Sequence, residues 1–189
     1  MGFELWEDGL RRGLLEGYDS IQWLIYSRDY GEFQITISDP SVAALIEQGT
    51  TILNTDTMEL GFVEYRKPKV DADGSLTVEA RGFTSVKMLD RRVVMCTVNI
   101  SNIEADMIRL YTDNRRGLSL LPPALNGFTE ATDSQITWET VLDAWKKLAE
   151  LAGFGFGCTF DRRTGQNTLK IYKGVDRSDD RSASYSGVF

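Results

Sequence analysis

The sequence predicts an α+β fold: a small β-barrel or sandwich over residues 1–95, joined to an inserted or following α+β module of two helices plus a hairpin over 96–175. Three observations carry this. Short aromatic and β-branched runs, separated by turn residues, fill the first half, with one short helix among them. After residue 96 the apolar period changes from about 2 to about 3.6 residues. With 42% apolar and 26% charged residues over 189 positions, the chain can bury a core without staples.

IQWLIY (21–26) and GEFQITI (31–37), separated by SRDYG, read as a hairpin. SDPSVAALIEQG (38–49) reads as a short helix: Asp39 can cap it, Pro40 suits its first position and Gly49 its stop. TTILNT (50–55) and LGFVEYRK (60–67) are further strands, and PKVDADG (68–74) is a turn. LTVEARG (76–82) returns from it, with Leu76, Val78 and Ala80 on one face and Thr77, Glu79 and Arg81 on the other. VKMLDRRVV (86–94) then wedges one acid and two bases between apolar pairs. It reads as the corner where the chain leaves the first half.

In the second half, SNIE (101–104) is a capping box: Ser101 can bond the amide of Glu104, whose carboxylate reaches back. Ile103, Met107, Leu110 and Tyr111 follow at helical spacing, and then a polar loop, TDNRRGLSLLPPALNG (112–127). The strongest helix begins near Thr137. Trp138, Val141, Leu142, Trp145 and Leu148 form its core face, and Gly153 closes it. GFGCTF (155–160) and TLKIYK (168–173), joined by DRRTGQN, complete the module. Residues 176–189 are polar and end on Val188-Phe189, which looks like the start of a further strand.

The formal charge is −7 with a pI near 4.7. Residues 1–95 hold 16 acids and 10 bases (−6), and residues 96–189 hold 12 and 11 (−1). This balance argues against a surface that coats nucleic acid, which needs a basic face. No histidine is present, so the commonest metal ligand and general base is missing, and a Ser-His-Asp or Cys-His centre cannot form within the chain. Cys96 and Cys158 lie in apolar stretches and read as buried free thiols. The N-terminus lacks the pattern of a signal peptide, and no apolar run approaches the roughly 20 residues of a membrane span.

The motifs that mimic chemistry have plainer readings. GFGFG (153–157) lacks the spacing of a dinucleotide loop and the G-K-[ST] of a P-loop. Gly153 fits a helix stop, with Gly155 and Gly157 in a crowded strand. DADG (71–74) lacks the later carboxylates of a calcium loop. Asp179-Asp180 reads as a solvated pair. DRR (90–92), RRG (115–117) and DRRTG (161–165) read as salt-bridged turns or subunit contacts, since arginine between apolar residues bonds carboxylates or carbonyls as a fork. Trp6 and Trp23 could form a sugar-stacking platform, although the alternation around Trp23 favours core.

The order of features over residues 17–178 resembles the siphovirus tail hub (baseplate hub, or tail-associated) proteins of phages and prophages of Gram-positive hosts. The resemblance runs through YDSIQWLIYSRDYGEFQITI, ALIEQG, GFVEYRK, LTVEARGFTSVKMLDRRVV, IEADMIRLYTDN, TWETVLDAWKKLAELAGFGFGCTFD and the closing turn Tyr172 to Ser178. It implies a tail-tube-like barrel, a homotrimer around the tail axis, and a structural rather than enzymatic role. In that role a hub ring joins the tail tube and distal tail ring to the receptor-binding or tip device, near the tape-measure end, and gates DNA. No cofactor, metal, membrane insertion or specific nucleic-acid binding is implied, with DNA passing through the ring without being recognised. Family members continue past the Asp-Arg-Ser turn into a second barrel, so residues 176–189 would begin a shortened one. Asp90, Arg91, Arg92, Arg115, Arg116, Asp176 and Arg177 are the candidate assembly residues. The alternatives are a tail-tip cell-wall hydrolase, a carbohydrate-binding tail module, or the same hub in a contractile or injection machine.

Overall fold

The computed structural model describes residues 2–70 and 74–174. Seven strands form one antiparallel sheet: β1 (Phe3–Glu7), β2 (Leu10–Leu14), β3 (Ser20–Leu24), β4 (Glu32–Ile37), β5 (Thr51–Asn54), β6 (Glu59–Val70) and β7 (Leu76–Thr84). Their spatial order is β2-β1-β5-β6-β7-β4-β3, so β2 and β3 end the pairing and the described sheet does not close on itself. Many short strands are equally compatible with an open and a closed sheet, and the sequence carries no signal for the last pairing. The first hairpin, β1–β2, is not marked in the sequence, because β2 (LRRGL) has no clear period.

Alternation places Phe33, Ile35 and Ile37 of β4 inward, with Ile52, Val63, Val78 and Ala80 from the neighbouring strands. Helix α1 (Pro40–Ala43) is shorter than expected, but its start is as read: the Asp39 carboxylate accepts from the Ser41 amide at 2.8 Å. A cross-strand pair, Trp23 and Phe33, stacks at 4.8 Å. The Phe33 ring fills the space above Gly82, where any Cβ would run into it and into the Phe62 carbonyl.

The chain leaves β7 through a 3-10 helix, Ser85–Arg91. A two-stranded ribbon follows, β8 (Val98–Asn102) with β9 (Ala131–Ile136), which was not legible in the sequence. Helices α2 (Ile103–Asn114) and α3 (Val141–Ala152) pack together, and the hairpin β10 (Phe154–Asp161) with β11 (Gln166–Lys173) packs against α3. Trp145 is the centre of this core. Its ring meets Tyr111 and Phe156 edge-on, and its indole N–H donates to the Met107 carbonyl at 2.9 Å. Val141, Leu142 and Leu148 are buried beside it. Gly153 ends α3 in the left-handed conformation, φ +71°. Gly155 lies under the Tyr172 ring.

Three expectations need correction. Trp138 is not core: it is 69% exposed, because Thr140 caps α3 by accepting from the Asp143 amide and the helix starts after it, at Val141. Trp138 keeps helical spacing to Val141 and Trp145, and that spacing extends the apolar pattern past the true cap. The α2 cap is Asn102 rather than Ser101. Asn102 accepts from the Ala105 amide, and Asp106, not Glu104, reaches back to the amides of Ser101 and Asn102. Cys96 is exposed while Cys158 is buried. In the stretch before β8, Val94 takes the inward position, and Met95 and Cys96 face out.

Candidate functional site

The DRR corner joins the two halves of the molecule. Ser85 donates to the Leu60 carbonyl at 2.8 Å, and the Thr84 hydroxyl accepts from the Gly31 amide at 2.8 Å. Val86 and Leu89 enter the helical core. A 3-10 turn puts residues three apart on one side. That spacing lets Lys87 reach Asp90 at 2.9 Å, with its ammonium 4.3 Å from the Tyr30 ring centre. Asp90 is therefore bound by Lys87 and not by either neighbouring arginine.

Arg92 makes the carbonyl fork. Its Nε donates to the Arg115 carbonyl at 3.0 Å, one Nη to Arg116 at 3.2 Å and the other to Arg91 at 3.0 Å. Arg116 returns the contact, donating to the Val93 carbonyl at 2.9 Å. Of the seven sequence-predicted residues, Arg92 thus meets Arg115 and Arg116 from a segment over 20 residues away in sequence, and Asp90 and Arg91 precede it in the 3-10 helix. Arg91 lies over the Phe62 ring at 5.3 Å. None of these four arginines makes an ion pair among the described residues. Asp176 and Arg177 lie outside the described residues.

Two further seams carry no mark in the sequence. SRDYG looks like a plain hairpin turn, yet Arg28 donates to the Phe154 carbonyl at 2.9 Å, the Phe156 amide donates to the Ser27 carbonyl and Asp29 pairs with Lys146. Glu4, only 4% exposed, accepts from the Trp6 indole, Arg11 and Arg162, tying β1 and β2 to the turn between β10 and β11. Of the three basic pairs, DRRTG is thus the one that makes a salt bridge among the described residues, with a distant acid. Its own Asp161 instead caps the turn, held below the usual carboxylate range by the Arg163 amide and the Thr164 hydroxyl.

A cleft of about 600 Å³ opens between the halves, lined by Trp6, Leu60, Phe62, Met88, Phe160 and Asn167. Trp6 is buried against Phe160, so it offers no exposed ring for a sugar, and Trp23 is half-covered in its stack on Phe33. Glu59 is buried, and burial raises its carboxyl above the ordinary range although Lys170 opposes this. Among the described residues no group of three or more Cys, Asp or Glu could hold a metal, and no helix is long and apolar enough to cross a membrane.

A family model described as "Siphovirus ReqiPepy6 Gp37-like protein" matches residues 3–189. No curated protein matches the chain. Among solved structures, the chain is similar to the prophage tail protein gp18 from Listeria monocytogenes EGD-e (TM-score 0.62, 10% identity), covering 90% of this chain and 50% of that one. It is also similar to the 43 kDa tail protein of prophage MuSo2 from Shewanella oneidensis (0.59, 15%, covering 93% and 56%). The E. coli c3393 protein, a type VI secretion component with structural similarity to the T4 tail proteins gp27 and gp5, gives 0.50 at 15%, covering 94% and 45%. At these identities the likeness shows the fold, and the chain spans about half the length of these proteins.

Proposed function

We infer the role of this chain from one premise: it belongs to the siphovirus ReqiPepy6 Gp37-like protein family. Its place is the phage or prophage virion tail. Our reading of its part there is a hub at the tail tip or baseplate. Copies form a trimeric ring that joins the tail tube and distal tail ring to the host-recognition device, near the tape-measure end, and gates the passage of DNA. The observation that carries this reading is the tail-protein fold running through the whole described chain. The likeness to a protein itself similar to gp27 and gp5 supports the hub over other tail positions.

In this reading residues 1–95 form the tail-tube-like unit, closing into a barrel with partners across the β2 and β3 edges, and residues 96–175 form the module beside it. The corner at Asp90, Arg91, Arg92, Arg115 and Arg116 sets the angle between them. The role is structural rather than enzymatic. The acidic first half suits a channel that DNA must cross, because a basic lining would retain phosphate with strong, salt-dependent affinity.

The test is electron microscopy of intact particles carrying a tagged chain, with native mass spectrometry of the disassembled tip. A threefold ring at the distal end, with an acidic lumen lined by residues 1–95, is expected. A chain absent from particles, or a ring with a basic lumen, would refute the hub or the channel reading respectively.

A further inference from the structure

We propose that Trp138, with Val93, Met95 and the arginine corner, is a docking face for the acidic sheet half of a second copy of this chain; the proposal deepens the hub reading and rests on it. Trp138 is held at φ +51°, a left-handed backbone that a bulky side chain avoids. It stays there because its amide donates to the Val94 carbonyl at 3.0 Å and Thr140 starts the helix two residues on. The result is an indole 69% exposed, at a site where a polar residue or glycine would cost the monomer less.

The surroundings fit an interface. Val93 bridges to Thr140, so Val93 and Met95, 40% and 55% exposed, run antiparallel beside Trp138. Arg92 and Arg116 lock each other through backbone carbonyls at one end of this strip. Arg91 and Arg115 stand exposed next to them. Tryptophan, arginine and methionine are the residues that enrich interface cores, and arginine with a fixed guanidinium receives carboxylate in a fork.

Charge complementarity selects the occupant. This corner gathers four guanidinium groups with no carboxylate partner among the described residues, on a chain of net charge −7. The first half carries the excess, and Glu16, Glu32, Glu47 and Glu64 are exposed there without an ion pair among the described residues. The corner of one copy against the sheet of the next is a head-to-tail contact, the kind that closes into a ring.

The experiment is sedimentation equilibrium of the full chain, with Trp138→Ala and Arg115→Glu, at low and high salt. Neither side chain holds a described hydrogen bond, so Trp138→Ala is expected to keep the wild-type unfolding midpoint and Arg115→Glu, at the C-terminal cap of α2, to lower it only slightly. Self-association is expected to weaken about tenfold or more in each. The Arg115→Glu effect is expected to shrink as salt rises. A chain that stays monomeric, or that associates equally well in both variants, overturns the proposal. If such a chain still enters particles, the hub reading stands and the face is wrong. If the variants fail to associate but the wild-type chain is found in no particle, the face stands and the hub reading falls. A wild-type monomer whose Trp138→Ala variant binds a different tail protein less well would assign the face to that protein and overturn the second copy.

Discussion

Replacing Glu104 with glutamine changes little in shape and removes one charge from the interior. Glu104 is fully buried. One carboxylate oxygen accepts from the Asn126 amide and from its side-chain N–H, each at 2.7 Å, and the other accepts from the Phe128 amide at 2.7 Å. Hydrogen bonds to a charged acceptor contribute about 1.5–3 kcal/mol each, and a neutral bond about 1 kcal/mol. In the Glu104→Gln variant the side-chain carbonyl oxygen can keep the two Asn126 donors at neutral strength, but the new NH2 faces the Phe128 N–H, donor against donor. Losing one bond, stranding one donor and weakening two others, offset by the smaller cost of burying a neutral amide than a carboxylate, leaves a net loss of about 2–4 kcal/mol, a large part of a typical stability of about 5–15 kcal/mol.

The pH dependence gives the second handle. Burial pushes the Glu104 carboxyl up, but the amides of Asn126 and Phe128 together hold it below its ordinary value of 4.5. A lowered folded pKa adds stability above the ordinary carboxylate range and loses it as pH falls through the folded value. Urea unfolding of wild type and Glu104→Gln across an acid series is therefore expected to show a wide gap at neutral pH that narrows in acid. Hydrogen exchange at the amides of Asn126 and Phe128 should accelerate in the variant. A gap under about 0.5 kcal/mol at neutral pH, or one that acid leaves unchanged, would refute the charged clasp.

The thiols and the arginine fork are also testable. Cys96 is exposed and Cys158 is buried with its thiol pushed up by desolvation. A thiol reagent at neutral pH should label Cys96 at once and Cys158 only after unfolding; equal rates would contradict the packing of β10. Arg92→Ala removes three carbonyl contacts from a partly exposed side chain and should lower stability by about 1–2 kcal/mol. An unchanged melting temperature would show that the fork does not hold the 115–117 loop.

Much of the fold was legible because its signals are local. The β3–β4 hairpin, the Asp39 cap, the strands over 51–54 and 76–84, α3 with its Gly153 stop and the β10–β11 hairpin each follow from spacing and capping chemistry within about a dozen residues. So did the arginine fork in outline, because a guanidinium among apolar neighbours must find oxygen. Its partners are backbone carbonyls of residues 115 and 116, and no side-chain pattern marks a carbonyl. Glu104 has the spacing of a capping residue because it sits three after a serine. One residue of register turns it inward, and a loop about 22 residues away supplies its donors.

Composition and period act over short range, and they suffice for the acidic balance, the lack of histidine, the alternation of the strands and the helical core around Trp145. Long-range packing sets which strands are neighbours, that β2 and β3 end the pairing, and that Glu4 and Arg162 meet across 158 residues. It also decided that Trp138 faces water. Identical spacing can place an indole in a core or in front of a helix cap, and the choice falls to the backbone bonds that the chain's two halves make where they meet.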